Sequence, residues 1–65
     1  MSPTQFRKAL DKLEMTQTDI GKLLRLGDRT PRRWALEEAR IPFTAEALMK
    51  LMVSGKITPK DLETL

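Results

Sequence analysis

The stretch GDRTPRRW contains the side chains of this chain that are best suited to binding chemistry, together with its only tryptophan. In a helix, Arg29, Arg32 and Arg33 share one face, because residues three and four positions apart are neighbours on a helix surface. Pro31 and Trp34 then point the other way, towards a core. A guanidinium group donates two parallel hydrogen bonds to a phosphate or to a guanine edge. The spacing therefore predicts a helix that presents arginines to an anionic partner.

The positive charge of the chain is concentrated around this stretch. The net charge is +3; residues 1–40 carry nine Lys and Arg against six Asp and Glu, and residues 41–65 carry three against three. Five of the six arginines lie between Arg25 and Arg40. A localised basic face favours nucleic acid as the partner, although a basic surface that is merely solvated has the same composition.

The composition argues against several classes of protein. The 65 residues make one small domain, 1–65, and they include no cysteine and no histidine. Disulfide bonds and the commonest metal ligands are therefore excluded, and little is left for catalysis. We expect no enzyme activity, no cofactor, no metal and no small-molecule ligand. Because no apolar run has the length of a signal peptide or a membrane span, we expect a cytoplasmic protein that does not contact a membrane.

Start and stop signals predict five helices and no strands. Ser, Thr, Asp and Asn side chains accept hydrogen bonds from the free N–H groups that begin a helix. Gly55 is the predicted C-terminal stop of the fourth helix, and Gly27 is expected to supply backbone freedom to the turn after the second. The predicted N-caps are Ser2, Thr16, Asp28, Thr44 and Thr58.

The predicted start of the third helix depends on where Pro31 falls within it. If Asp28 is the cap, Arg29 is the first helical residue and Pro31 the third, where a missing N–H has no helical partner to lose. If Gly27 were the cap instead, Pro31 would remove one hydrogen bond. The first reading is favoured, and it predicts a helix that ends near Leu36 or Glu38.

Apolar residues at helical spacing predict the core. Phe43 is expected to pack in the connector before the fourth helix, and Trp34 is expected in the core rather than as a platform for base stacking. The inward positions predicted for the first, second and fourth helices are Phe6, Ala9, Leu10 and Leu13; Ile20, Leu23 and Leu24; and Ala47, Leu48, Leu51 and Met52.

The span TQTDIGKLLRLGDRTPRRW, residues 16–34, is similar to the Cro/CI-type (Xre) helix-turn-helix family, the lambda-repressor-like domains. Both have a glutamine, two polar residues, an aliphatic, a small residue, further aliphatics, a turn and a polar second helix that ends near an aromatic residue. The resemblance implies a compact all-α five-helix domain with a helix-turn-helix unit at about 16–38. Departures are Arg25, where the family has glycine, Pro31, where it has Val or Ile, and Ala35, where it has Glu.

The resemblance also implies roles for individual residues. Gly21 falls on the small residue at which the two helices touch. Which arginines read bases and which hold phosphate stays open, and a solvated face with a surface pair between Asp28 and Arg32 is the alternative. The candidates for contact with DNA bases are Asp28, Arg29, Arg32 and Arg33. The candidates for contact with phosphates are Gln17, Thr18, Lys22, Arg25, Thr30, Arg40 and Thr44.

The function implied by the resemblance is that of a sequence-specific transcriptional regulator that binds double-stranded DNA in a bacterial cell. Small members of this family resemble dimeric repressors of palindromic operators, often of their own operons, so a homodimer on an inverted repeat is expected. The candidate dimerisation segment is 56–65, through Ile57, Leu62 and Leu65, unless Leu62 simply closes the monomer core. The alternative is an antitoxin-like or adaptor module that keeps the fold and binds an acidic protein.

Overall fold

The computed structural model describes residues 1–27 and 29–65, which form five helices. They are α1 (Pro3–Leu13), α2 (Gln17–Leu23), α3 (Arg29–Ala35), α4 (Phe43–Val53) and α5 (Pro59–Glu63). These residues contain no strand, so the all-α prediction is confirmed for them. None of the five helices is long and apolar enough to cross a membrane.

Reciprocal capping boxes begin three of the helices, and each box is built on a predicted N-cap. The Ser2 hydroxyl accepts a hydrogen bond from the Gln5 N–H at 3.1 Å, and the Gln5 side chain accepts one from the Ser2 N–H at 2.9 Å. The same exchange joins Thr16 to Asp19 at the start of α2 and Thr58 to Asp61 at the start of α5. Each box satisfies donors that a helix start leaves unpaired, so these starts are fixed by local sequence.

The third helix begins at Arg29, and Pro31 is its third residue, as predicted. Its predicted cap, Asp28, lies outside the described residues. Pro31 and Trp34 are buried, which confirms the inward face. The helix ends at Ala35, slightly earlier than predicted, because Glu37 adopts a left-handed backbone with φ 63° and the Glu38 N–H turns back to the Arg33 carbonyl at 2.8 Å.

The fourth helix departs from the prediction in its start and in its inward face. Thr44 is wrong as the N-cap, because it is the exposed second residue of the helix and Pro42 occupies the cap position. The buried residues are Ala45, Met49 and Met52, whereas Leu51 is 38% exposed. Packing of α4 against α1 selects this row, and the predicted row lies partly on the opposite side. Phe43 does not pack in a connector: it begins α4 and is 79% exposed.

The core joins α1, α2, α3 and α4 through fully or nearly fully buried side chains. Phe6 and Trp34 meet edge to face, with ring centroids 5.7 Å apart and planes at 86°. Such a pair adds about 0.5–1.5 kcal/mol beyond the area that it buries. The Arg7 guanidinium donates a hydrogen bond to the Ala35 carbonyl, so α1 also holds the C-terminal end of α3. The fold thereby fixes α3 by one face and leaves the other exposed.

Candidate nucleic-acid interface

The exposed face of α3 carries the three arginines that the sequence placed there. Arg29, Arg32 and Arg33 are all exposed, on the side of the helix opposite Trp34. Together with Leu36 and Glu38 they line a shallow depression of about 480 Å³. Among the described residues none of the three arginines forms an ion pair, so these positive charges are exposed without an ionic partner, and the Glu38 carboxylate is the one acidic group that lines the same depression.

Leu36 belongs to the same face and was missed as a site residue. Its N–H donates to the Arg32 carbonyl at 3.0 Å, which continues the hydrogen-bond pattern of α3 by one residue. It follows Arg32 by four positions and Arg33 by three, and it is 53% exposed. The spacing 29, 32, 33, 36 marks one helix face and could have been read from the sequence. The prediction treated Leu36 only as a helix end.

The position of α3 is set by a close approach to α2. Gly21 is buried, and a Cβ atom at this position would lie 3.2 Å from the Pro31 Cγ atom and 3.7 Å from its Cδ atom. A side chain at residue 21 would therefore have to displace the proline ring. The small residue lies where the two helices touch, as the sequence predicted.

The turn between α2 and α3 differs from the prediction in the residue that makes it possible. Gly27 has no positive φ, whereas Arg25 has a left-handed backbone with φ 57°. The Leu26 N–H donates to the Gly21 carbonyl at 2.7 Å and the Arg25 N–H to the Lys22 carbonyl at 3.2 Å. These two bonds form a Schellman motif, in which the left-handed residue is usually glycine. Arg25 thus has the conformation that glycine usually has in this motif.

The predicted phosphate ligands lie on both sides of α3 along the chain. Gln17 is the half-buried first residue of α2, Thr30 is half-buried on α3, and the exposed Arg40 lies in the connector to α4. The Arg25 guanidinium is exposed and makes one long hydrogen bond, 3.4 Å, to the Leu65 carbonyl. The remaining candidates, Thr18, Lys22 and Thr44, are exposed. Asp28, a predicted base contact, lies outside the described residues.

Carboxylates with a lowered pKa lie outside the arginine face. The pKa of Asp19 is below its ordinary value, because the Thr16 backbone N–H donates to the carboxylate; the Thr16 side chain and the charge of Lys22 act in the same direction. The pKa of Glu46 is lowered by hydrogen bonds from the Met1 amino group and from Lys50. Both carboxylates hold helices in place. In residues 1–27 and 29–65 no cluster of three or more His, Cys, Asp or Glu side chains could hold a metal ion.

The residues predicted to form a dimer interface fall into two groups. Ile57 and Leu62 are half-buried and pack against the core, so they help to close the monomer. Leu65 is 86% exposed. Further exposed apolar surface lies on α4, where Phe43 and Leu51 stand four residues before and after Ala47 on one helix face.

Comparisons of this chain with protein-family models, with curated proteins and with solved structures found no match. Three features of the structure bear on its function. These are the arginine face of α3, the close approach of α2 to α3, and the Schellman turn at Arg25.

Proposed function

We propose that this chain is a sequence-specific transcriptional regulator that binds double-stranded DNA, with α3 as its recognition helix. The observation that carries the proposal is the division of α3 into two faces. Pro31 and Trp34 anchor it in the domain, and three arginines on the opposite face are exposed without an ionic partner among the described residues. An anionic ligand that accepts a helix is the simplest counterpart of such a face.

The major groove of DNA fits this face in size and in chemistry. The groove is about 12 Å wide, and a helix with its side chains measures about 10–12 Å across. A guanidinium group can donate to the O6 and N7 atoms of guanine together, and each such pair discriminates against a wrong base by about 1–3 kcal/mol. We assign base contacts to Arg29, Arg32 and Arg33, with Asp28 as a further candidate.

The relation of α2 to α3 supports a helix-turn-helix unit of the Cro/CI type over residues 16–38. Such a unit needs a tight turn and two helices that approach closely enough to hold the second one steady. The left-handed residue 25 provides the first, and the pair Gly21 and Pro31 provides the second. In this arrangement α2 crosses the DNA backbone. Phosphate contacts are assigned to Gln17, Thr18, Lys22, Arg25, Thr30, Arg40 and Thr44.

Two copies of the chain would bind an inverted repeat and block transcription by occupying the operator. Recognition helices of a dimer enter successive major grooves about 34 Å apart. The domain measures 29 × 21 × 20 Å, so neighbouring copies at this spacing can touch. The candidate contact surfaces are the segment 56–65, in which Leu65 is 86% exposed, and the face of α4 with Phe43 and Leu51.

A protein-binding adaptor is the second candidate function, and Leu36 is the observation that favours it. An exposed leucine inside a basic face also suits an acidic protein with an apolar side chain. Binding to random duplex DNA that weakens steeply with salt supports DNA as the ligand, because each phosphate contact releases counterions. Binding of an acidic protein without affinity for any duplex supports the adaptor.

Selection of bound sites from a random double-stranded DNA library is the direct test. We expect one enriched half-site, repeated in inverted orientation. Replacing Arg33 with Ala should relax the preference at one base pair by about 1–3 kcal/mol, whereas Gln17→Ala should weaken all sites alike. Lys60→Ala, on the exposed surface of α5, is the matched control and should leave the base preference unchanged. Full operator preference in Arg33→Ala would contradict the assignment of Arg33.

A further inference from the structure

We infer that Leu36 reads the 5-methyl group of thymine, so that each half-site contains a T·A pair beside the pairs read by the arginines. This inference rests on the proposed function, because it requires α3 to lie in the major groove. It assigns a specificity role to a residue that the charge pattern of the sequence did not indicate. The observation behind it is the placement of one large apolar side chain on the exposed arginine face.

The other large apolar side chains that are exposed in the described part of the chain lie outside α3 and the turn that follows it. Those are Phe43 and Leu51 on α4 and Leu65 at the last position of the chain. The depression that Leu36 lines is otherwise formed by Arg29, Arg32, Arg33 and Glu38. A leucine surrounded by charged side chains offers little apolar area for an extended hydrophobic interface. It suits a ligand that offers one small apolar group in anionic surroundings.

Thymine in duplex DNA is such a ligand. Its methyl group is the one apolar feature among the groups that the four bases present in the major groove, and phosphates flank it on both strands. Leu36 lies one helical turn from Arg32 and Arg33, at a Cβ separation of about 5–6 Å. Base pairs repeat every 3.4 Å or so along the axis, which places the thymine one or two steps from the guanines that these arginines would contact.

Replacing thymine by deoxyuridine tests the inference, because the change removes the methyl group and leaves the base-pairing edge intact. Each thymine of a single selected half-site is replaced in turn, and binding is measured by fluorescence anisotropy at fixed salt. Wild-type protein should bind about fourfold more weakly at one position, which is the effect of losing one buried methyl group. Leu36→Ala should bind the two forms of that site equally. Lys12→Ala, on the exposed surface of α1 and outside every assigned contact surface, is the control and should keep the difference.

The possible results separate the inference from the proposed function. Equal binding of thymine and deoxyuridine sites by wild-type protein overturns the assignment of Leu36, and the proposed function stands if the selected duplex is still bound. A difference that persists in Leu36→Ala also overturns the assignment. Failure to bind any selected duplex overturns both. The wild-type measurement needs no substitution, so a folding defect in a variant cannot obscure the result.

Discussion

The turn at Arg25 offers a test that separates folding from binding. An L-residue in the left-handed region costs about 1–2 kcal/mol, and glycine is free of that cost. Glycine also makes the unfolded chain more flexible, which offsets about 0.4–1 kcal/mol of the gain. The middles of these two ranges differ by about 0.8 kcal/mol, so we expect Arg25→Gly to raise the free energy of unfolding by about 0.5–1 kcal/mol. Arg25→Ala keeps the Cβ atom and loses only the 3.4 Å bond to Leu65, so the free energy should change little.

Thermal and urea unfolding measure this difference. In a domain of this size 1 kcal/mol corresponds to about 4–8 °C in the unfolding midpoint, so Arg25→Gly should unfold roughly 2–8 °C above Arg25→Ala. Glu14→Gly provides a second comparison, because Glu14 ends α1 with φ 55° and is not among the predicted DNA contacts. If Glu14→Gly gains stability and Arg25→Gly gains none over Arg25→Ala, the explanation of the turn is refuted.

The same two variants test Arg25 as a phosphate ligand. Both remove the guanidinium group, so both should bind the operator more weakly and should lower the slope of log affinity against log salt by about 1. The Gly variant should then be more stable than wild type and yet bind DNA less tightly. Wild-type affinity and salt dependence in both variants would remove Arg25 from the phosphate-contacting set.

Three shorter predictions concern packing, pH and association. Gly21→Val should destabilise the domain by about 1–3 kcal/mol in urea unfolding, because its Cβ atom would already lie 3.2 Å from Pro31; Gly27→Ala has open space and should change little. Because folding lowers the pKa of Asp19, its carboxylate stabilises the fold at neutral pH, and this stabilisation is lost as the pH falls through the folded pKa. In Asp19→Asn the free energy of unfolding, measured from pH 7 to 2, should therefore fall less steeply with acid. If the segment 56–65 forms the dimer, Leu65→Asp should yield monomers in analytical ultracentrifugation, whereas dissociation by Phe43→Asp alone would place the interface on α4.

Helix starts could be predicted from this sequence far better than helix ends. Ser2, Thr16 and Thr58 begin helices through hydrogen bonds with residues three positions later. All the residues that determine each start therefore lie within four consecutive positions of the sequence. The left-handed residues that follow α1, α2 and α3 are Glu14, Arg25 and Glu37, and none carries the glycine signal. Packing of the next segment imposes these conformations, and a local pattern does not contain that information. Gly55, with φ 82°, was predicted because it is a glycine.

The inward face of α4 could not be chosen from the sequence for a different reason. Apolar side chains surround much of this helix, from Ala45 and Ala47 to Leu51 and Met52. Hydrophobic spacing therefore fits more than one face, and contact with α1 decides between them. In α3 the choice was clear, because charged and apolar residues do not mix around the helix. The candidate site could be predicted because it lies on that helix, with the exception of Leu36.

Arg29 makes the outward face of α3 costly for the isolated domain, and this is a physical reason to look for an anionic partner. Like charges at positions i, i+3 and i+4 destabilise a helix by about 0.2–0.5 kcal/mol per pair, and Arg29 forms such pairs with Arg32 and Arg33. Arg29→Gln removes both pairs and also removes a positive charge from the N-terminal end of the helix, where it opposes the helix dipole. This variant should therefore be as stable as wild type or slightly more stable at low salt, while operator binding weakens. Replacing a core or capping residue would instead lower the free energy of unfolding. If Arg29→Gln unfolds more readily than wild type, Arg29 serves the fold and this reason for expecting an anionic partner is removed.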